Sequence, residues 1–127
     1  TGDGAADVLV RGVRHVAQPS GPPVESDQLF VYRVASDGAI TRIFSIETAR
    51  ELQGKRVQGL VQFIPAKSGK GFDVLAAAGR ATGYTKETFP WTEQAPGSGA
   101  TEPLLLPWGS LKTARYAFDG THYVYVP

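Results

Sequence analysis

The stretch QLFVYRV (28–34), ASDG (35–38) and ITRIFSIE (40–47) decides the fold of this chain. Residues 28–34 are almost entirely β-branched, aromatic or leucine, which is typical of a buried strand. Residues 40–47 alternate between two faces, which indicates a second strand. The step Asp37-Gly38 between them supplies the positive φ that a tight hairpin requires. The stretch therefore predicts two antiparallel strands joined by a short turn.

The rest of the chain repeats this arrangement of short strands and turns. Further strand-type runs lie at 7–16, 57–64, 72–77, 82–85, 102–106, 115–118 and 121–126. Gly-containing turns at 67–71 and at Asp119-Gly120 join two more hairpins. We predict an all-β fold in which about eight short strands form a mostly antiparallel meander, as a sandwich or a small, possibly open barrel. The helix formers in SIETARELQ (45–53) predict at most one short helix near 47–53.

Length and composition restrict the class of protein. The 127 residues suit a single β domain, 1–127, in which the Pro/Gly/Ser-rich stretches 18–26 and 94–102 are loops. The absence of cysteine excludes disulfide scaffolds, zinc fingers, iron–sulfur sites and thiol catalysis. Thirteen Lys and Arg against twelve Asp and Glu give a net charge of +1, which argues against nucleic acid as a partner. No apolar run reaches the roughly 18–20 residues of a transmembrane segment.

The strongest candidates for a binding site are aromatic. Trp91 and Trp108 each follow a proline and flank the Gly/Pro-rich loop, and Tyr84 and Phe89 are candidate neighbours. Tryptophan and tyrosine on a rigid loop provide recognition area at a low entropic cost. These residues predict a binding surface for a protein or carbohydrate partner. The competing interpretation is that both tryptophans close the ends of the sandwich or barrel.

Acid–base catalysis by imidazole would have to use His15 or His122, the two histidines of the chain. Zinc catalysis generally needs three protein ligands, and the spacing of these histidines matches no zinc motif. A hydrolase-type pair of one histidine with Asp73, Asp119 or Glu47 is a competing hypothesis. A lipocalin-like barrel around an apolar ligand is a third.

The N-terminal sequence GDGAADVLV (2–10) resembles the second half of the aspartate-rich loop of FG-GAP and VCBS-type repeats. That family has Asp-x-Asp-Gly-Asp-Gly-x-x-Asp before a hydrophobic strand, and its carboxylates and a backbone carbonyl coordinate calcium. The resemblance implies Asp3 and Asp7 as metal ligands, with the carbonyl of Ala5 beside them. Thr1 stands where the family has its second aspartate, so we expect at most weak calcium binding and no other cofactor.

The C-terminal sequence YAFDGTHY (116–123) is similar to the aromatic–Asp-Gly–Tyr hairpin that ends many exported chains of this kind. The resemblance implies a secreted, periplasmic or cell-surface bacterial protein, and it suggests propeller-blade-like sheets as an alternative architecture. We therefore expect a non-catalytic binding or scaffolding domain of an exported bacterial protein. Such a domain would present aromatic loops or sheet edges to its partner.

Overall fold

The computed structural model describes residues 6–127, and every regular element in that range is a strand. The seven strands are β1 (Ala6–Val16), β2 (Val24–Val34), β3 (Ile40–Leu52), β4 (Lys55–Pro65), β5 (Phe72–Thr82), β6 (Thr113–Phe118) and β7 (Tyr123–Val126). They form one antiparallel sheet in the order β1 to β7, so each strand pairs with its neighbours in sequence. The predicted all-β meander is confirmed, as one continuous sheet rather than separate propeller blades. Within 6–127 no helix is long and apolar enough to cross a membrane.

The sheet bends sharply between β3 and β4 and folds over itself. These two strands share four residue pairs, from Ala49↔Gln58 to Leu52↔Lys55, and then diverge. As a result β1–β3 and β4–β7 form two facing layers. Phe44 on β3 contacts Tyr116 on β6 and Tyr123 on β7, with ring centroids 5.0 and 5.7 Å apart. Within the described residues β1 does not pair with β7, so the sheet is not closed into the barrel that the sequence left as an alternative.

One apolar core fills the space between the two layers. Its buried members are Leu29, Val31, Ile43, Phe44, Ile46, Val74, Ala76, Leu105, Ala114, Tyr116 and Tyr123. Burial of each large apolar side chain contributes roughly 1.5–3 kcal/mol to folding. The sheet is open and side chains fill its interior, so the arrangement differs from the ligand-enclosing barrel of the lipocalin-like hypothesis.

No helix forms near 47–53, where the sequence allows at most one short helix. β3 continues to Leu52, and the turn that follows has positive φ at Gln53 (51°) and Gly54 (80°). Strand pairing on both sides of β3 at this point overrides the helix propensity of the sequence. The predicted strands 82–85 and 102–106 are also absent as strands: β5 ends at Thr82, and a single bridge forms at Glu102.

The segment 83–112, between β5 and β6, fills the gap that β4 leaves beside β3. Glu102 accepts a backbone hydrogen bond from the N–H of Glu47 at 3.0 Å and donates one to the carbonyl of Ser45 at 2.7 Å. The buried leucines 104–106 follow directly. Leu105 enters the core between the layers. Leu104 and Leu106 join a second apolar cluster.

The terminal hairpin has a different register from the one that a two-residue turn at Asp119-Gly120 would give. Tyr116 pairs with Tyr125 and Phe118 with Tyr123, so the four rings share one face. The paired rings lie 6.0 and 5.6 Å apart. The connection consists of four residues, 119–122, rather than the predicted two, because β6 ends at Phe118 and β7 begins at Tyr123.

The backbone of β4 leaves no room for a side chain at Gly79 of β5. A Cβ atom there would lie 2.0 Å from the carbonyl oxygen of Gln58. We expect Gly79→Ala to lower the free energy of unfolding by about 1–3 kcal/mol, because the backbone of one strand must move. Urea unfolding measures this change. Gly12→Ala on β1 is the matched control: its Cβ would lie 4.0 Å from the nearest ring atom of Phe30, and we expect no loss of stability. Equal stability of the two variants would contradict the prediction.

Gly120 in the terminal hairpin has a φ of +106° and open space around its missing Cβ. A substitution there therefore tests backbone conformation alone. We expect Gly120→Val to lower the free energy of unfolding by roughly 1–3 kcal/mol, since a β-branched residue is strained at positive φ. Thermal and urea unfolding provide the measurement. Gly99→Val, a loop change without positive φ, serves as the control, and a Gly120→Val protein that melts like the parent would show the hairpin assignment to be wrong.

The carboxylate of Asp119 accepts hydrogen bonds from the N–H of His122, the N–H of Thr121 and the Thr121 hydroxyl, and these bonds lower the pKa of Asp119 to about 2. The unfolded chain lacks these donors, so its carboxyl titrates near the ordinary value of 3.8. The stabilisation is therefore complete above the unfolded pKa and is lost as the pH falls through the folded one. We expect an NMR titration midpoint near 2 for Asp119.

Asp119→Asn should accordingly reduce the acid-induced loss of stability in that pH range. Asp37→Asn is the matched control, because Asp37 in the β2–β3 turn accepts one N–H, from Ala39 at 2.9 Å. A titration midpoint at the ordinary value would show that the Asp119 hydrogen bonds do not form in solution.

Candidate functional site

The predicted binding residues Tyr84, Phe89, Trp91 and Trp108 meet in one aromatic cluster. Phe89 lies at its centre, with ring centroids 5.6 Å from Tyr84, 5.1 Å from Trp91 and 5.4 Å from Trp108. All three contacts are edge-to-face, the arrangement that the charge distribution of aromatic rings favours. The structure therefore brings all four residues together, and their role in binding stays a prediction.

The aromatic cluster is also part of the folded core. It covers the buried side chains of Val57, Leu104 and Leu106. Tyr84 is itself buried, and burial raises the pKa of its hydroxyl. The competing interpretation, that both tryptophans close the ends of the sandwich or barrel, is compatible with these inner contacts. It does not account for the outer surface of Phe89 and Trp91, which lines a cleft.

A tight turn after β5 sets the position of the outer rings. The N–H of Thr85 donates to Oγ1 of Thr88 at 2.8 Å, and the N–H of Phe89 donates to the carbonyl of Thr85 at 3.0 Å. Pro90 follows with its restricted φ, which limits the directions available to Trp91. The chain thus reverses within a few residues, and both rings return over Tyr84.

A second contact ties this turn to the segment that carries Trp108. The carboxylate of Glu93 accepts hydrogen bonds from the N–H of Ser110 at 2.9 Å and from its hydroxyl at 3.0 Å. Gly109 permits the approach, because a Cβ there would lie 2.8 Å from the Glu93 carboxylate. The two arms of the long loop are therefore held in a fixed arrangement.

A cleft of about 360 Å³ opens between the aromatic cluster and strands β2 and β3. Phe89 and Trp91 line it, and Arg14 and Val16 of β1 lie at the same cleft. Tyr84 and Trp108 are outside the lining and support Phe89 from behind. The volume falls in the range of small-ligand sites, roughly 300–1,000 Å³.

The floor of the cleft is polar and buried. Ser26, Gln28 and Glu47 form it and are 4, 8 and 7 % exposed. The Glu47 carboxylate accepts a hydrogen bond from the Ser26 hydroxyl at 2.7 Å, and Nε2 of Gln28 donates to that hydroxyl at 3.2 Å. Buried polar groups of this kind persist because they are hydrogen-bonded to each other. We call these three residues the polar floor.

Arg50 joins the polar floor to the aromatic cluster. Its Nε and Nη2 atoms donate to the Glu47 carboxylate at 2.9 and 2.7 Å. Its guanidinium carbon lies 5.1 Å from the ring centroid of Trp91, which is a cation–π contact. The bidentate pair neutralises the buried charge of Glu47 and fixes the orientation of both groups. The cleft therefore combines fixed donors and acceptors with an aromatic wall.

The sequence predicts the aromatic wall of the cleft but not its polar floor. The predicted loop 18–26 includes Ser26, whereas β2 begins at Val24. Glu47 enters the sequence predictions only as a possible partner of histidine. Arg50 has no predicted role, because it lies in the stretch with helix propensity. The usable signal was the polar alternation of Ser26 and Gln28 before the apolar part of β2.

Neither histidine lines this cleft. His15 lies on β1, where it is exposed and pairs in register with Glu25. His122 lies in the exposed terminal turn, where its Nδ1 is 2.7 Å from Oγ1 of Thr121. That hydroxyl donates in turn to the Asp119 carboxylate at 2.9 Å. Both imidazoles therefore occupy exposed surface positions.

Two of the three acids considered as histidine partners hold an arginine instead. Asp73 is buried, and its carboxylate lies 2.7 Å from Nε of Arg115. Glu47 holds Arg50 as described above. These pairs supply the charge compensation that a buried carboxylate needs. Of the three acids, only Asp119 therefore remains as a histidine partner for the hydrolase hypothesis. It lies in the exposed terminal turn and not in the cleft.

The expected calcium ligands fall in two places. Asp3 and the carbonyl of Ala5 lie outside the described residues. Asp7 lies on β1. Burial raises the pKa of the Tyr123 hydroxyl, and the negative charge of the Asp7 carboxylate raises it further. Among residues 6–127 no group of three or more histidine, aspartate or glutamate side chains is arranged to hold a metal ion. Weak calcium binding stays a prediction.

No protein-family model matches the chain, and neither a curated protein nor a solved structure matches it significantly. The resemblance to FG-GAP and VCBS-type repeats therefore rests on the sequence of the two ends alone.

Proposed function

We propose that the chain is a non-catalytic binding domain that holds a carbohydrate in the cleft between the aromatic cluster and the polar floor. The observation that carries this proposal is the meeting of Phe89 and Trp91 with three buried polar side chains in one cleft. Arg50 contacts both sides and fixes their relative position. A preorganised site of this kind loses little entropy when a ligand binds.

The chemistry of the two sides favours a sugar. A sugar ring has apolar C–H faces and a rim of hydroxyls that both donate and accept hydrogen bonds. The aromatic wall suits the faces. The planar groups of Gln28, Glu47 and Arg50 suit the rim, because together they offer donors and acceptors. The volume of the cleft, about 360 Å³, falls in the range of small-ligand sites. A protein partner would need a larger contact surface, since a protein interface buries about 800 Å² per partner.

Two features support binding without catalysis. Every carboxylate that lines the cleft is engaged: Glu47 by Arg50 and Ser26, Glu93 by Ser110, and Glu102 by the N–H of Gly97. Neither histidine lines the cleft. A hydrolase needs an acid and a base within hydrogen-bond reach of the same bound ligand.

Export is a further part of the proposal. We propose that the parent is a secreted, periplasmic or cell-surface bacterial protein. The support for this location is the resemblance of residues 2–10 and 116–123 to exported repeat proteins.

NMR titration of the labelled protein with neutral gluco-, manno-, galacto- and xylo-oligosaccharides tests the proposal. We expect at least one series to shift resonances of the polar floor and of Trp91. Trp91→Ala should weaken that binding about tenfold or more, as truncation of an aromatic anchor costs over 1 kcal/mol. Trp108→Ala is the matched control, because Trp108 belongs to the same cluster but lies outside the cleft.

A second variant, Gln28→Leu, removes hydrogen-bonding groups from the floor and leaves the aromatic cluster intact. Thermal melts of all three variants separate loss of binding from loss of folding. The proposal is wrong if no oligosaccharide shifts cleft resonances. It is also wrong if the folded Trp91→Ala and Trp108→Ala proteins lose affinity equally.

A further inference from the structure

β1 presents an apolar strand at the open edge of the sheet. Ten large apolar side chains are exposed in the described part of the chain, and five of them are on this strand: Val8, Leu9, Val10, Val13 and Val16. β1 pairs with β2 on one side, so its backbone N–H and C=O groups on the other side face outward. Proteins usually protect such an edge with charged side chains, proline or a bulge. β1 carries three charged residues, Asp7, Arg11 and Arg14, but it has no proline and pairs with β2 over its full length without a register shift.

We propose that β1 pairs antiparallel with β1 of a second copy of this chain, with Leu9 on the twofold axis. Residues 6–12 of each copy then form the shared ladder, and all of them lie in the described range. In this register Asp7 lies opposite the partner's Arg11, and Arg11 lies opposite the partner's Asp7. Val8 and Val10 lie opposite each other in the same way. Directly opposed side chains in an antiparallel pair have Cβ atoms about 4.5–5.5 Å apart, which allows both kinds of contact.

The twofold symmetry keeps each side chain of β1 on the same face of the sheet as the side chain that lies opposite it. A twofold axis between antiparallel strands stands perpendicular to the sheet, so residues of one face meet residues of the same face. Asp7, Leu9 and Arg11 share one face, and Val8 and Val10 share the other. Beside these valines lie two aromatic rings of β2, Tyr32 opposite Val8 and Phe30 opposite Val10. The dimer would therefore join two apolar strips into one.

In the neighbouring twofold-symmetric registers of two β1 strands, the charged side chains do not lie opposite side chains of opposite charge. With Val10 on the axis, Asp7 lies opposite Val13, and Leu9 lies opposite Arg11. With Arg11 on the axis, two arginines lie directly opposite each other, which is destabilising. Of these three registers, the one centred on Leu9 alone pairs both charges with opposite charges and avoids a like-charge pair. This self-complementarity favours a second copy over an unrelated peptide as the occupant.

The other edge of the sheet offers a much shorter ladder. β7 has four residues, against eleven in β1. Two of the four, Val124 and Val126, are exposed, and the residues between and before them face the core side. β1 is therefore the edge with the length that strand addition requires.

Sedimentation velocity at protein concentrations from micromolar to millimolar tests the proposal. The variants exchange the charges at positions 7 and 11. We expect the parent chain to dimerise. Asp7→Arg and Arg11→Asp should each raise the dimer Kd about tenfold or more, since like-charge pairs replace two opposite-charge pairs. The double variant Asp7→Arg/Arg11→Asp should restore dimerisation, because both pairs are re-formed with reversed sign.

Two further variants keep the test decisive. Leu9→Lys places two lysines at the axis and should give a monomer without changing Asp7, which also acts on Tyr123. Leu60→Lys, on β4, changes an equally exposed apolar side chain in the other layer and should leave the dimer intact. Circular dichroism melts confirm that each variant is folded.

The proposal is overturned if the parent is monomeric throughout that range. It is equally overturned if the double variant fails to dimerise while folded, or if Leu60→Lys dissociates the dimer as Leu9→Lys does. A chain that stays monomeric and binds an unrelated extended peptide along β1 would assign the edge to a different occupant. The outcome is independent of carbohydrate binding, which the NMR titration reports separately.

Discussion

The backbone of β3 at Ser45 and Glu47 imposes the constraint on which the rest of the site depends. β4 departs after four residue pairs because the sheet must fold over to cover its apolar face. The backbone groups of β3 beyond that point need other partners, since buried N–H and C=O groups are costly when unpaired. Glu102 supplies them through two backbone hydrogen bonds. Its carboxylate also accepts from the N–H of Gly97 at 2.7 Å, which holds the approaching loop in place.

This one bridge positions both the core and the cleft. The leucines 104–106 follow it, and their side chains alternate between two apolar clusters. Leu105 enters the core between the layers, and its two neighbours lie under the aromatic cluster. The outer rings of that cluster then form the wall of the cleft. Stability and binding surface are thus built by the same segment, and a change in the bridge affects both.

Sequence reasoning succeeds where the determining interactions are local. The strands around 28–34 and 40–47 and the two strands of the terminal hairpin follow from period-2 patterns and Gly-containing turns. It fails where a distant partner decides. Residues 45–53 have helix propensity, but β2 and β4 pair with them. The polar floor depends on Arg50 reaching Glu47 and Trp91 at once, and that meeting requires the long loop to be closed by Glu102.

β1 connects the two proposed surfaces. Arg14 and Val16 line the cleft, on the same face as Ser26 and Gln28 of β2. They lie beyond residues 6–12, so the ladder about Leu9 does not include them. Because the twofold axis stands perpendicular to the sheet, both clefts open on the same face of the dimer. Two sites facing one way can engage a single repetitive ligand, and the second contact then forms at a high effective concentration.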